Sequence, residues 1–215
     1  MLPTLLVWDF NGTILDDGRL LVDVNNQMNR ERGLPEISYD FYRNYFDHPP
    51  LPFYLRMGYD FKQESYAKVS EEFLDRYEKY QEKAPLMPHV LEVLTWAKER
   101  GIPQIIVSAH EQRRLEAHLH HLGIASYFDH VSGENSQIIG GKVERARALA
   151  RSGQYNFSNA CLIGDTTHDY AAAQAMNCYC ILYSGGHQSL SRLRQTGAPI
   201  VSDLSQIPAL LEQLS

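Results

Sequence analysis

Five short apolar runs alternate with stretches of helical period, and that alternation limits the chain to very few architectures. The runs are residues 4–9 (TLLVWD), 104–108 (QIIVS), 127–131 (YFDHV), 160–165 (ACLIGD) and 178–183 (CYCILY). The helical stretches are 88–100, 110–121, 142–152, 168–177 and 188–196. In the first of these, Val90, Leu91, Leu94 and Ala97 share one face, and Gly101 ends the helix. Parallel strands need a crossover, and the helices that supply it cover both faces of the sheet. The expected fold class is therefore α/β, a Rossmann-like parallel sheet with helices on both faces. Such sheets bind ligands beyond the carboxyl ends of their strands. Three runs end on Asp9, Ser108 and Asp165, which places all three on one edge.

Residues 16–84 interrupt the pattern. They offer no convincing strand, and thirteen of the twenty-three aromatic residues lie between Tyr39 and Tyr80. Phe73, Tyr77 and Tyr80 recur at helical spacing, as do Phe41, Tyr42, Tyr45 and Phe46, while Pro49, Pro50 and Pro52 split the segment. The expected organisation is an α/β core domain of residues 1–15 and 85–215, with an all-helical cap domain, 16–84, inserted after the first strand. Few basic residues are interleaved with the aromatics, so they are read as cap core rather than a base-stacking surface. The tail from Val201 to Leu214 is expected to form a last helix.

Composition narrows the partners. Twenty Lys and Arg against twenty-six Asp and Glu give a net charge of −6. That balance argues against nucleic acid and anionic membranes, which attract basic faces. At 215 residues the chain buries roughly 70% of its unfolded surface and needs no disulfide or metal staple. Cys161, Cys178 and Cys180 show no metal-binding spacing and read as small buried thiols in a reducing compartment. The apolar start, Met1 to Trp8, meets Asp9 too soon for a signal peptide. No apolar run approaches the roughly 18 residues of a membrane span. The expected location is the cytoplasm.

The chemistry-bearing residues cluster at the ends of the apolar runs. Asp9-Phe10-Asn11-Gly12-Thr13 puts a carboxylate at a strand mouth, and Gly12 permits a sharp turn that aims N–H groups at an anion. An ordinary Asn-Gly turn would look the same. Gly164-Asp165 precedes Thr166, Thr167, His168 and Asp169, so two carboxylates stand four residues apart where a hard cation such as Mg²⁺ could bind. Asp169 also suits the start of a helix. Ser108, before helix 110–121, suits a phosphate cradle or a plain helix start. Lys142 follows Gly140-Gly141 and adds a lone cation.

The order and spacing of these four elements resemble the haloacid dehalogenase (HAD) superfamily, specifically its phosphoglycolate-phosphatase-like branch with a helical type-1 cap. The first motif reads DFNGT, the second is Ser108, the third Lys142, and the fourth GDTTHD. The resemblance implies a Mg²⁺-dependent phosphatase that forms an aspartyl-phosphate on Asp9. It implies metal ligation by Asp9, the Asn11 carbonyl and Asp165, with Asp169 in support. Ser108, Lys142, Gly12, Thr13 and Ala109 would hold the phosphate of a small phosphorylated metabolite. Monomer and homodimer both stay open.

One position departs from the pattern. Asn11 stands where the family carries an acid/base Asp, and loss of such help typically costs about 10²–10⁴-fold in rate. Three readings follow: a slow or leaving-group-selective phosphatase, a replacement proton donor such as His168 or His110, or a phosphometabolite-binding regulatory protein. A dehalogenase is disfavoured, because the paired carboxylates imply a metal it would not need. Arg19, Arg43, Arg56 and Lys62 read as solvated cap charges, His118, His120 and His121 as exposed helix residues, and Gly185-Gly186-His187 as a turn in preference to a loop lining the pocket.

Overall fold

The computed structural model describes residues 2–134 and 141–213. Six parallel strands form one sheet: β1 (Leu5–Trp8), β2 (Gln104–Glu111), β3 (His130–Glu134), β4 (Ala160–Gly164), β5 (Tyr179–Tyr183) and β6 (Ile200–Val201). Their order is β3-β2-β1-β4-β5-β6. The first strand is thus central, with Trp8 opposite Ile106 on one side and Ile163 on the other. All four β1 residues are buried because both faces are covered. Alternation sends Leu6 and Trp8 into one layer and Leu5 and Val7 into the other. Helices α5 (Val90–Glu99), α6 (Gln112–His121) and α10 (Ile207–Gln213) cover the first face. The second lies under α7 (Gly141–Arg151), α8 (Thr167–Met176) and α9 (Leu190–Leu193).

Between β1 and α5 run four helices and no strand: α1 (Gly18–Glu31), α2 (Tyr39–Tyr45), α3 (Leu51–Met57) and α4 (Tyr66–Gln81). They have their own apolar cluster, in which Tyr42, Phe53, Tyr54, Tyr59 and Tyr77 pack on Leu21, Val24, Met28 and Val69. Ser38 and Ser65 cap α2 and α4 by accepting from the N–H groups of Phe41 and Lys68. Pro50 starts α3, and Gly58 ends it at a φ of 100°. Arg32 ties this layer together by pairing with both Glu64 and Glu72.

Several boundaries differ from expectation. The third strand begins at His130, because Ala125–Tyr127 form a 3₁₀ turn whose Tyr127, with Phe128, packs sideways onto the core. Helix α6 begins at Gln112, since the Glu111 side chain accepts from the N–H groups of Arg113 and Arg114 and fixes the cap there. The expected helix 188–196 is a short α9 followed by a 3₁₀ turn. Val201 belongs to β6, a strand of two residues that the sequence does not signal; among the described residues of the tail the α-helix is Ile207–Gln213, and Leu214 lies outside them. Cys161 and Cys180 are buried, Cys178 half-buried, and all three are free thiols. No helix among the described residues is long and apolar enough to cross a membrane.

Candidate active site

Strands β1 and β4 are neighbours in register, and the Asp9 N–H donates to the Ile163 carbonyl at 2.9 Å. Asp9 and Asp165 therefore leave the sheet side by side. Asp169, in the first turn of α8, completes a cluster in which the three carboxylates each present an oxygen within 4.8 Å of the others. All three are buried. Lys142, at the start of α7, reaches in to bond Asp9 and Asp169.

The charges in this cluster do not cancel. Burial and the Asp169 charge push the Asp9 carboxyl well above its ordinary range, against the pull of Lys142. Burial likewise raises Asp165, although His187 draws it down. For Asp169 burial is outweighed by Lys142, and the group is held low. Burial alone would lower Lys142, but Asp169 and Asp9 overcome it and hold the ammonium up. Three carboxylates face one cation, so the cluster has room for more positive charge.

Local sequence explains the geometry. Gly12 has a φ of 78°, and a Cβ there would strike the Asp165 carboxylate. A Cβ on Gly186 would likewise strike both Asp165 and the Gly12 carbonyl. Thr166 caps α8 in a reciprocal capping box with Asp169. Asp169 thus both starts the helix and holds Lys142: Oδ2 accepts from Thr166 and Asp165, leaving Oδ1 for the ammonium.

The expected phosphate-binding residues divide. Ser108 is buried at the same edge, its Oγ accepting from the His110 N–H at 3.1 Å, while Ala109 is exposed. Neither lies at a helix start, since the β2–β3 register shifts between Val107 and Glu111 and α6 follows only afterwards. The Gly12 N–H is not directed at an incoming anion; it donates to Asp17 Oδ1 and the Leu15 carbonyl. Thr13 donates its hydroxyl proton to Asp165 Oδ1 at 3.0 Å. Gly140 lies outside the described residues.

Four residues of the site are not among the site residues expected from the sequence. Asp17 is fully buried and accepts four hydrogen bonds. Asn11 Nδ2 (2.9 Å) and Tyr77 Oη (2.7 Å) donate to Oδ2, and Gly12 N (3.0 Å) and His187 Nε2 (2.9 Å) to Oδ1. Asn11 Nδ2 also donates to Tyr77 Oη at 2.8 Å. Burial would raise Asp17, but His187 outweighs it and holds the carboxyl low. Burial would lower His187, but Asp17 and Asp165 raise it to about 9. Gly185-Gly186-His187 is therefore more than a turn: the His187 N–H also donates to Asp165 at 2.5 Å.

The fourth is Arg145, three residues after Lys142 on α7. It is buried and donates from Nη1 to the Ser108 carbonyl at 2.7 Å, substituting for a ladder donor where the strand bulges. Its Nε and Nη2 have no hydrogen-bond partner among the described residues. The doubled acid Asp16-Asp17 and the Gly-Gly-His at the fifth run's end were the available signals for Asp17 and His187. Tyr77 was hidden within an aromatic stripe expected to be core, of which Tyr80, like Tyr45, is in fact exposed and Phe73 half-buried.

His120, His121, Arg19, Arg56 and Lys62 are exposed as expected, whereas His118 and Arg43 are not. His118 is buried and meets Phe10 edge-on, with ring centroids 5.4 Å apart. His110 contacts the Gln81 amide nitrogen at 3.1 Å, whereas His168 turns to the helical insertion, meeting the His48 carbonyl at 3.0 Å and Asp47 at 3.1 Å. Arg43 is not a solvated charge; it donates to the Ser184 and Gln188 carbonyls across from α2.

Known proteins share this fold. The chain is 25% identical over 216 residues to a Rhodobacter capsulatus protein named phosphoglycolate phosphatase, covering 96% of each. A haloacid dehalogenase-like family hydrolase from Streptococcus pneumoniae superposes with a TM-score of 0.82 at 18% identity, covering 97% of this chain and 98% of that one. A haloacid dehalogenase-like protein from Agrobacterium tumefaciens gives 0.79 at 19% identity, with 98% of each covered. The haloacid dehalogenase-like hydrolase family profile matches residues 6–183. With that match running from β1 to β5, the chain belongs to the haloacid dehalogenase-like hydrolase family.

Proposed function

We propose that this protein is a Mg²⁺-dependent phosphatase of small phosphorylated metabolites, acting through an aspartyl-phosphate on Asp9. The observation that carries this reading is the under-neutralised cluster of Asp9, Asp165 and Asp169 beside Lys142 at the carboxyl edge of the sheet. Hard oxygen donors with surplus negative charge fit Mg²⁺, which Asp9, Asp165 and the Asn11 carbonyl would hold with support from Asp169. When bound, the ion supplies charge neutralisation between a carboxylate nucleophile and a phosphate dianion.

The chain's own residues do the rest. Asp9, at the end of the central strand, attacks phosphorus. Lys142 and the Ser108 hydroxyl hold phosphoryl oxygens as charge develops on them. Thr13 and the His187 N–H fix both oxygens of Asp165. Residues 16–84 act as a cap over the core, 1–15 and 85–215, and exclude water from the site. The partner is a small metabolite rather than nucleic acid or a membrane, and the protein works in the cytoplasm.

Phosphate release from p-nitrophenyl phosphate, with and without Mg²⁺, tests this reading. Wild type is expected to turn over only with the ion, and Asp9→Asn and Asp165→Asn to be inactive while folded. Turnover that survives Asp9→Asn would refute it.

A further inference from the structure

Displacing an alcohol from phosphorus leaves a strongly basic oxygen that needs a proton, unless the leaving group is stable as an anion. Among the described residues the side-chain donors hydrogen-bonded around Asp9 are committed elsewhere, and the unpartnered Tyr42 hydroxyl is pushed well above its ordinary range by burial and yields no proton. Both Asn11 N–H bonds are used, one on Asp17 and one on Tyr77. The orientation of this amide follows from chemistry: an ionised carboxylate only accepts, so the nitrogen must face Asp17. Tyr77 gives its own proton to Asp17, as does His187 from Nε2, in a buried ion pair that holds the imidazolium charge in place. Thr13 is held by Asp165 and Thr166 by Asp169.

The other candidates fare no better. Lys142 is bound by Asp9 and Asp169, on the nucleophile's own side. His110 accepts from Gln81 and is kept neutral by burial, so it has no acidic proton to give. His168 faces the His48 carbonyl and Asp47. The Ser108 hydroxyl can hydrogen-bond an oxygen but does not yield a proton at neutral pH.

We infer that the substrates are phosphoryl compounds whose leaving oxygen departs as a stable anion, with acyl phosphates as the leading class, rather than alkyl phosphates. This rests on Asp9 being the nucleophile proposed above. In the first step the Asp9–phosphorus bond forms as the bond from phosphorus to the leaving carboxylate breaks. The electron pair leaves with the carboxylate and no proton moves. In the second step water attacks phosphorus, the bond to Asp9 breaks, and its electron pair returns to the aspartate. Both water protons stay on the released dihydrogen phosphate. The Asp17 carboxylate already accepts four hydrogen bonds and is not free to act as a base, so this step is the slower one and the leaving group appears in a burst.

The test compares kcat/KM for acetyl phosphate, a series of substituted phenyl phosphates, glycerol 3-phosphate and phosphoglycolate, all with Mg²⁺. Wild type is expected to favour acetyl phosphate over both alkyl phosphates by at least about 10²-fold, with phenyl phosphates ranked by leaving-group acidity. Asn11→Asp places a second carboxylate against Asp17, so one of the pair keeps a proton. This variant is expected to raise the alkyl rates selectively. Alkyl phosphates within about tenfold of acetyl phosphate in wild type would overturn the inference and leave the phosphatase reading standing. Failure on every compound, or activity retained in Asp9→Asn, would instead overturn the phosphatase reading and the inference with it.

Discussion

Two buried polar clusters meet at the carboxyl edge of the sheet, and they balance charge in opposite ways. In the first, Asp9, Asp165 and Asp169 share one ammonium, and two of the three carboxyls are pushed up. In the second, a single carboxylate, Asp17, receives four donors, one of them an imidazolium. The first is short of positive charge and suited to admit a cation and an electrophile. The second is satisfied and acts as a joint, tying α4 through Tyr77 and the segment after β5 through His187 to the nucleophile loop. Their contact also accounts for residue 11. An Asp there would set two carboxylates 2.9 Å apart, whereas the amide supplies a donor.

The contrast can be broken from either side. The largest effect is expected from Asp9→Asn, a loss of phosphate release of at least about 10⁴-fold with the fold intact by circular dichroism. Next comes Asp17→Ala, which leaves an imidazolium and three donors without their acceptor. Urea unfolding should show a loss of about 3–5 kcal/mol. Asp165→Asn should behave differently in metal-free protein, costing much less or stabilising, because it removes surplus charge.

A smaller effect is read against pH. The His187 pKa is raised from 6.5 to about 9, so its stabilising contribution is complete below about pH 6.5 and is lost as pH rises through about 9. Metal-free wild type should therefore lose roughly 3 kcal/mol across that window relative to His187→Gln, whose stability lacks this slope. A flat difference between the two proteins would mean that His187 is not paired as an imidazolium. Smallest is Tyr77→Phe, which removes one donor to Asp17 and one acceptor for Asn11, and should cost about 1 kcal/mol in the same unfolding assay.

The sheet and the first cluster were legible in the sequence, and the joint was not. Strands β1, β2, β4 and β5 are continuous apolar runs because both faces are covered, and Asp9 and Asp165 end two of them. Asp17 and His187 are 170 residues apart, and no local rule pairs them before the chain is folded. The β3 boundary was missed because Tyr127 and Phe128 are apolar for lateral packing rather than for a strand. Strand β6 has only two residues to announce it. Nothing in the sequence sets Arg145 apart from the other helix charges, and only the bulge at Ser108 gives its guanidinium a carbonyl to hold.

The most direct test of the account follows the phosphoryl group. Wild type is mixed with acetyl phosphate and Mg²⁺, quenched in acid, digested, and its peptides are weighed. The expected result is a phosphoryl adduct on the peptide at Asp9, absent without Mg²⁺ and absent in Asp9→Asn. Steady turnover with no adduct, or an adduct on another residue, would contradict Asp9 as the nucleophile.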